Sequence, residues 1–121
     1  MVIAGLDPSG RIMDGRVLGA DGTIDPREEA RGIQKAVDAG ARVINLSLGE
    51  PEIEPKRDLV VQAIDAAAAA GVVPGVAAGN DFQDFGYGSV SSPGSAPGAI
   101  TVAAVDAGDR ARERSRSPPR L

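Results

Sequence analysis

The sequence predicts an α/β domain: a parallel sheet flanked by helices in a three-layer arrangement. Three observations carry this expectation. Arg42–Leu48, Val72–Ala78 and Ala99–Val105 are short apolar runs of strand length. Two segments with helical spacing and capping residues lie before the first run and between the first and second. Helices of about four turns between strands are long enough to carry the chain back across a sheet, which gives β-α-β units with right-handed crossovers.

Each element has its own residue-level reason. Arg11–Leu18 (RIMDGRVL) reads as a first strand, with its apolar pieces broken by Asp14 and Gly15, and Asp21-Gly22 follows as a turn. Asp25-Pro26 opens a helix, because a carboxylate cap and a first-position proline suit a helix N-terminus. Glu28 and Glu29 then sit near the positive end of the helix dipole. Ala30, Ile33 and Val37 make a narrow apolar stripe, and Gly40 is placed to end the helix in a left-handed cap.

In Arg42–Leu48, Ile44, Leu46 and Leu48 alternate with Val43, Asn45 and Ser47, as in a strand with two different faces. Gly49-Glu50-Pro51 breaks the run. A second helix is expected to start near Pro55, burying Leu59, Val60, Ala63, Ile64 and Ala67, and Gly71 caps it. Its alanine run, Ala66–Ala70, favours helix and permits close approach to a sheet. The long Gly/Ser/Pro-rich stretch from Gly79 to Gly98 holds all three aromatics, Phe82, Phe85 and Tyr87. A loop of that length in a compact domain is expected to be functional or mobile.

Composition narrows the chemistry. The 121 residues suffice for one domain, and alanine and glycine fill 36 positions, so the core is built at short range from Val, Ile, Leu and Ala. There is no histidine and no cysteine. A Ser-His-Asp or Cys-His pair therefore cannot be completed from this sequence, nor can a Cys/His zinc site or a disulfide. Residues 1–109 carry 8 Lys/Arg against 16 Asp/Glu, whereas residues 110–121 carry five arginines and one glutamate. The expected organisation is an acidic α/β domain over 1–109 and a disordered basic Arg/Ser/Pro tail over 110–121. No run reaches the about 18 apolar residues of a membrane span, and the start lacks signal-peptide character, so no membrane partner is expected and the compartment stays open.

In an open parallel sheet, ligands bind beyond the carboxyl ends of the strands. Two such ends stand out: Ser47-Leu48-Gly49 and Ala77-Ala78-Gly79-Asn80. By spacing alone, Gly-Asn after a strand reads as a turn. The combination says more. ARVINLSLG (Ala41–Gly49), GVVPGVAAGN (Gly71–Asn80) and PGAITVAAVD (Pro97–Asp106), in this order, resemble the middle of a subtilisin-like serine protease, a member of the subtilase or peptidase S8 family. GLDPSGRIMDGRVL (Gly5–Leu18) is similar to the family's segment after its histidine helix.

That resemblance implies an incomplete subtilisin-like fold and a fragment of a serine endopeptidase. Asn80 corresponds to the family's oxyanion-hole side chain. Ser47, Leu48 and Gly49 correspond to the strand that pairs with substrate backbone, and Ala78 and Gly79 to the wall of the primary specificity pocket. The implied partner is an extended peptide or protein. The family's aspartate and histidine motifs are expected upstream and its nucleophile motif downstream, so the chain alone is expected to be inactive. Ser89, Ser91, Ser92 and Ser95 read as loop residues rather than nucleophiles.

Family members often bind calcium, and the loop Ser91–Gly98 resembles a place where carbonyls do so; with no acidic cluster there, no cofactor is expected. Pro74 interrupts a strand that is continuous in the family. Faces left uncovered predict marginal stability and self-association. The arginine-rich tail has no aromatic to stack on bases, so a nucleic-acid partner is not expected. Family members are commonly secreted. The alternative from another class is a noncatalytic α/β interaction module with a basic tail.

Overall fold

The computed structural model describes residues 2–51, 54–81, 84, 86 and 89–105. The expected tail at 110–121 lies outside them, as do the three aromatics. The element order is helix α1 (Val2–Leu6), helix α2 (Pro26–Asp38), strand β1 (Val43–Leu46), a 3-10 turn (Pro55–Arg57), helix α3 (Leu59–Ala69), strand β2 (Val73–Ala77) and strand β3 (Ile100–Val102). The three strands form one sheet in the order β1-β2-β3, and both pairings are parallel. The α/β class and the parallel sheet are those read from the sequence.

Both long helices begin and end where local chemistry dictates. The Asp25 side chain accepts from Arg27 N–H at 2.8 Å, with Pro26 in the first turn. At the other end Gly40 takes φ +83°, its N–H donates to Val37 O, and Ala41 N–H reaches back to Ala36 O. Helix α3 ends identically: Gly71 has φ +88° and donates to Ala68 O, and Val72 N–H donates to Ala67 O. These paired bonds form the Schellman motif, which needs a left-handed residue at its pivot. Ala67 and Val72, which it joins, are both in the core.

Two expectations need correction. Arg11–Leu18 is not a strand. Only an isolated antiparallel bridge, Leu18 to Ile24, closes around the Asp21-Gly22 turn. Asp14-Gly15 interrupts the alternation, and residues 11–16 are exposed, so the segment has no partner sheet. It is seated instead by Val17, whose methyl lies 2.5 Å from where a side chain on Gly32 would begin. Helix α3 does not start near Pro55; those residues form the 3-10 turn, and Asp58 is the N-cap. The later start turns Leu59 outward, 46% exposed, and brings Val61 into the core instead.

Ile33 of α2, Val60, Val61, Ile64 and Ala67 of α3, and Ile44, Leu46 and Val76 of the sheet form one buried cluster. The alternation in β1 therefore puts Ile44 and Leu46 under the helices. Val43, Val73, Ile100 and Val102 occupy the opposite face and are exposed. The described residues thus build a helical layer on one sheet face and leave the other face open.

Pro74 lies in the central strand without breaking a ladder. Val73 N–H donates to Arg42 O on the β1 side, so the alternation of the backbone turns the Pro74 nitrogen towards β3. Pairing with β3 begins only at Gly75, opposite Ile100. The missing donor falls where no acceptor waits.

Glu29 is a buried acid within this apolar assembly, 1% exposed, and its Oε1 has no hydrogen-bond partner among the described residues. Burial first, then the negative charges of Glu50 and Asp58, push its carboxyl up to about 7. The folded state therefore holds this proton more tightly than the unfolded chain, whose carboxyl titrates near 4.5. Stability from this group is fully present below about pH 4.5, falls as pH rises, and levels off above about 7. Replacing Glu29 by Leu is expected to raise stability at pH 8 by on the order of 2 kcal/mol and to flatten that slope, as read by urea denaturation across pH.

Candidate functional site

The site forms where β1 and β2 end. Ser47, Leu48 and Gly49 run on past Leu46, the last β1 residue paired with β2. Ala77 closes β2, and Gly79 and Asn80 follow it. Being parallel neighbours, the two strands deliver these segments side by side. Ser47, Leu48, Gly49, Ala77, Gly79, Asn80 and Ser91 line a cleft of about 110 Å³.

Five of the six residues singled out from the sequence, Ser47, Leu48, Gly49, Gly79 and Asn80, meet in this cleft. Ala78 does not line it. Ala78 is 4% exposed and acts through its backbone: its N–H donates to Val102 O at 2.9 Å, and its carbonyl accepts from Ser91 N–H at 3.1 Å. Its neighbour Ala77 faces the cleft instead. Asn80 is exposed, and its side-chain amide makes no hydrogen bond among the described residues. Ser47 Oγ accepts from Asn45 Nδ2 at 3.0 Å.

Ser91 is the lining residue that sequence reasoning missed, because a serine in a Gly/Ser/Pro stretch carries no positional signal. It is buried, and its hydroxyl donates to Asp81 Oδ2 at 2.8 Å. Its Cβ stands 3.1 Å from where a side chain on Gly49 would begin. A side chain on Gly79 would fall directly on Ser91 Oγ. Both glycines therefore exist where the loop carrying Ser91 crosses the strand ends, and Gly79 also takes φ +90°.

Beyond the Ser91–Ala78 backbone bond, further ties hold the loop. Glu50 and Ser92 exchange backbone bonds, 3.0 Å from Glu50 N–H to Ser92 O and 2.9 Å in return. The Ser92 hydroxyl donates to Asp58 Oδ2, while Asp58 Oδ1 accepts from Val60 N–H at 2.8 Å and Val61 N–H at 3.3 Å. Thr101 Oγ1 of β3 donates to Gly94 O at 2.6 Å. The Ser92-Pro93 peptide bond is cis.

The carbonyls of Ser91, Ser92, Pro93, Gly94 and Ala96 each already accept a hydrogen bond from this chain. No group of three or more acidic, His or Cys side chains among the described residues is placed to hold a metal. No helix there is long and apolar enough to cross a membrane.

Clefts across adjacent strand ends of a parallel α/β sheet occur in many families, the subtilisin-like serine proteases among them. The chain belongs to that family: the Subtilase family model matches residues 2–121. Subtilisin Savinase of Lederbergia lenta is 36% identical over 104 residues, covering 86% of this chain and 36% of that protein. An alkaline protease of Shouchella clausii is also 36% identical over 104 residues, with 86% and 26% covered. Among solved structures, Sphericase superposes with a TM-score of 0.65 at 30% identity, over 84% of this chain and 34% of that one. The S41 psychrophilic protease gives 0.65 at 32%, over 84% and 34%. The chain thus spans about a quarter to a third of the length of these relatives.

Gly79 and Gly71 give a matched test of the close approach. Both have positive φ, but nothing lies within 4 Å of a side chain on Gly71. Gly71→Ala is expected to cost about 1 kcal/mol, from backbone conformation alone. Gly79→Ala is expected to cost about 2–4 kcal/mol, because Ser91 must also move. Thermal denaturation of the two variants compares them, and equal losses would remove Ser91 from the account.

Proposed function

We propose that this chain carries the substrate-holding strand and the oxyanion donor of a subtilisin-like endopeptidase, with the proton-transfer and nucleophilic groups supplied from outside it. The observation that carries the reading is the meeting of Ser47–Gly49 with the Asn80 amide across one cleft. A peptide laid along Ser47–Gly49 would extend the sheet by one strand, pairing backbone with backbone. Its scissile carbonyl then comes within reach of Asn80.

The chemistry follows from the charge that develops. When a nucleophile adds to the peptide carbonyl, the oxygen becomes negative, and a donor fixed beside it stabilises that state more than the neutral ground state. An exposed amide with no partner among the described residues is free to serve in this way. Ser91, set against Gly49 and Gly79 and oriented by Asp81, closes the floor of the cleft and limits the side chain that enters it. The absence of histidine from the sequence means that the chain cannot relay a proton through a Ser-His-Asp triad of its own.

Two outcomes follow. Titrating an extended peptide into the labelled chain should move the amide signals of Ser47–Gly49 and Asn80, with no cleavage of peptide or casein. Cleavage by the chain alone, lost in Asn80→Ala, would overturn the assignment of the triad to other segments. In a protein that joins this chain to the remaining family segments, Asn80→Ala should lower kcat by roughly 10²–10³ and leave KM nearly unchanged. An equal rise in KM with kcat intact would instead make Asn80 a ground-state binding residue.

A further inference from the structure

The polar groups of the cleft differ in what they can offer. Ser91 is buried in its lining, and its hydroxyl donates to Asp81 Oδ2 at 2.8 Å. An ionised carboxylate only accepts, whereas a serine hydroxyl has one proton to give and two lone pairs. With that proton committed to Asp81, the Ser91 oxygen meets an incoming group as an acceptor. Gly79 keeps the oxygen uncovered, because a side chain there would begin on Ser91 Oγ. Asn80 has the opposite character: its exposed side-chain amide can donate and has no hydrogen bond among the described residues.

Charge reinforces this polarity. None of the residues lining the cleft is lysine or arginine. The two ion pairs among the described residues, Arg31–Glu28 and Arg57–Glu54, do not involve Asp81. The half-buried Asp81 carboxylate therefore stands behind Ser91 with no described cation beside it.

We propose that the cleft selects peptides carrying lysine at the residue whose carbonyl meets Asn80, with the lysine ammonium donating to Ser91 Oγ in the field of Asp81. The proposal rests on the peptide-holding reading above and names the side chain that reading admits. Two hydrogen bonds in series place the ammonium no more than about 6 Å from the carboxylate oxygen. That lies inside the screening length of about 10 Å in ordinary buffers. A lysine ammonium is a compact point charge that one acceptor can orient, whereas an arginine guanidinium is a planar fork suited to two. A neutral side chain of the same length gains the same contacts along Gly49 and Gly79 but gives Ser91 no donor. Glutamate would set acceptor against acceptor and negative charge against negative charge.

The test titrates three extended peptides into the labelled 121-residue chain, identical except for lysine, norleucine or glutamate at that residue. The amide signals of Gly49, Asn80 and Ser91 give each Kd, at low and at high sodium chloride. Lysine is expected to bind roughly 10-fold more tightly than norleucine, glutamate more weakly than either, and the lysine advantage should shrink as salt rises. Asp81→Asn, which keeps the side-chain size and removes the charge, should bring lysine to within about threefold of norleucine. Equal wild-type affinities for lysine and norleucine would overturn the selectivity and leave the peptide-holding reading standing. A lysine preference undiminished in Asp81→Asn would also overturn it. If that variant does not fold, a wild-type preference that is insensitive to salt would do so in its place. Binding by none of the three peptides would overturn both the selectivity and the reading beneath it.

Discussion

The Asp58 carboxylate divides its two oxygens between jobs that would otherwise compete. Oδ1 satisfies the first N–H groups of α3, and Oδ2 takes the hydroxyl of Ser92, 34 residues later in the chain. A buried carboxylate is tolerated because it accepts several donors and sits at the positive end of a helix. The start of α3 fixes which of its residues enter the core, and the Ser92 bond fixes where the returning loop lies. One side chain thus aligns the helical layer with the loop that walls the cleft.

Small residues do the rest. Gly49 and Gly79 leave the space that Ser91 fills, and Gly94 sits where a side chain would begin 2.7 Å from Ala77 O. Gly98 N–H donates to Asp65 Oδ1 at 2.7 Å, which anchors the far end of the same loop on α3. The alanine and glycine content seen at the outset is therefore partly a record of backbone segments crossing at close range around one site. A core of larger side chains would hold these strand ends further apart.

Much of this was legible because its causes are local. Asp25-Pro26 starts α2 and Gly40 and Gly71 end their helices through contacts within six residues. Ser47–Gly49 and Gly79–Asn80 were legible as a pair because parallel neighbouring strands bring their ends together. What escaped mostly had nonlocal causes. The start of α3 is the exception: Asp58 Oδ1 caps the Val60 and Val61 N–H groups locally, three residues after the proline that competes with it for the start. Ser91 became part of the cleft through the crossing of a loop that no periodicity describes. Arg11–Leu18 looked like a strand from its apolar content, yet strand character requires a neighbour, and its neighbour is the flank of α2. Ala78 was placed in the cleft by motif, but the pleat of β2 turns it inward and presents Ala77.

The proline of the central strand has a consequence for register. Parallel strands whose side chains alternate can slide by two residues without exchanging faces, so hydrophobic pattern alone does not prevent such a slip. Sliding β3 towards the start of β2 would set an acceptor opposite the Pro74 nitrogen, which has no proton to give. The slipped sheet would forfeit a bond worth about 1 kcal/mol that an ordinary residue would supply. It would also pull Thr101 from Gly94 and Val102 from Ala78, the contacts that hold the loop. A residue that looked like an interruption of the sheet thus disfavours a slip of the third strand in that direction.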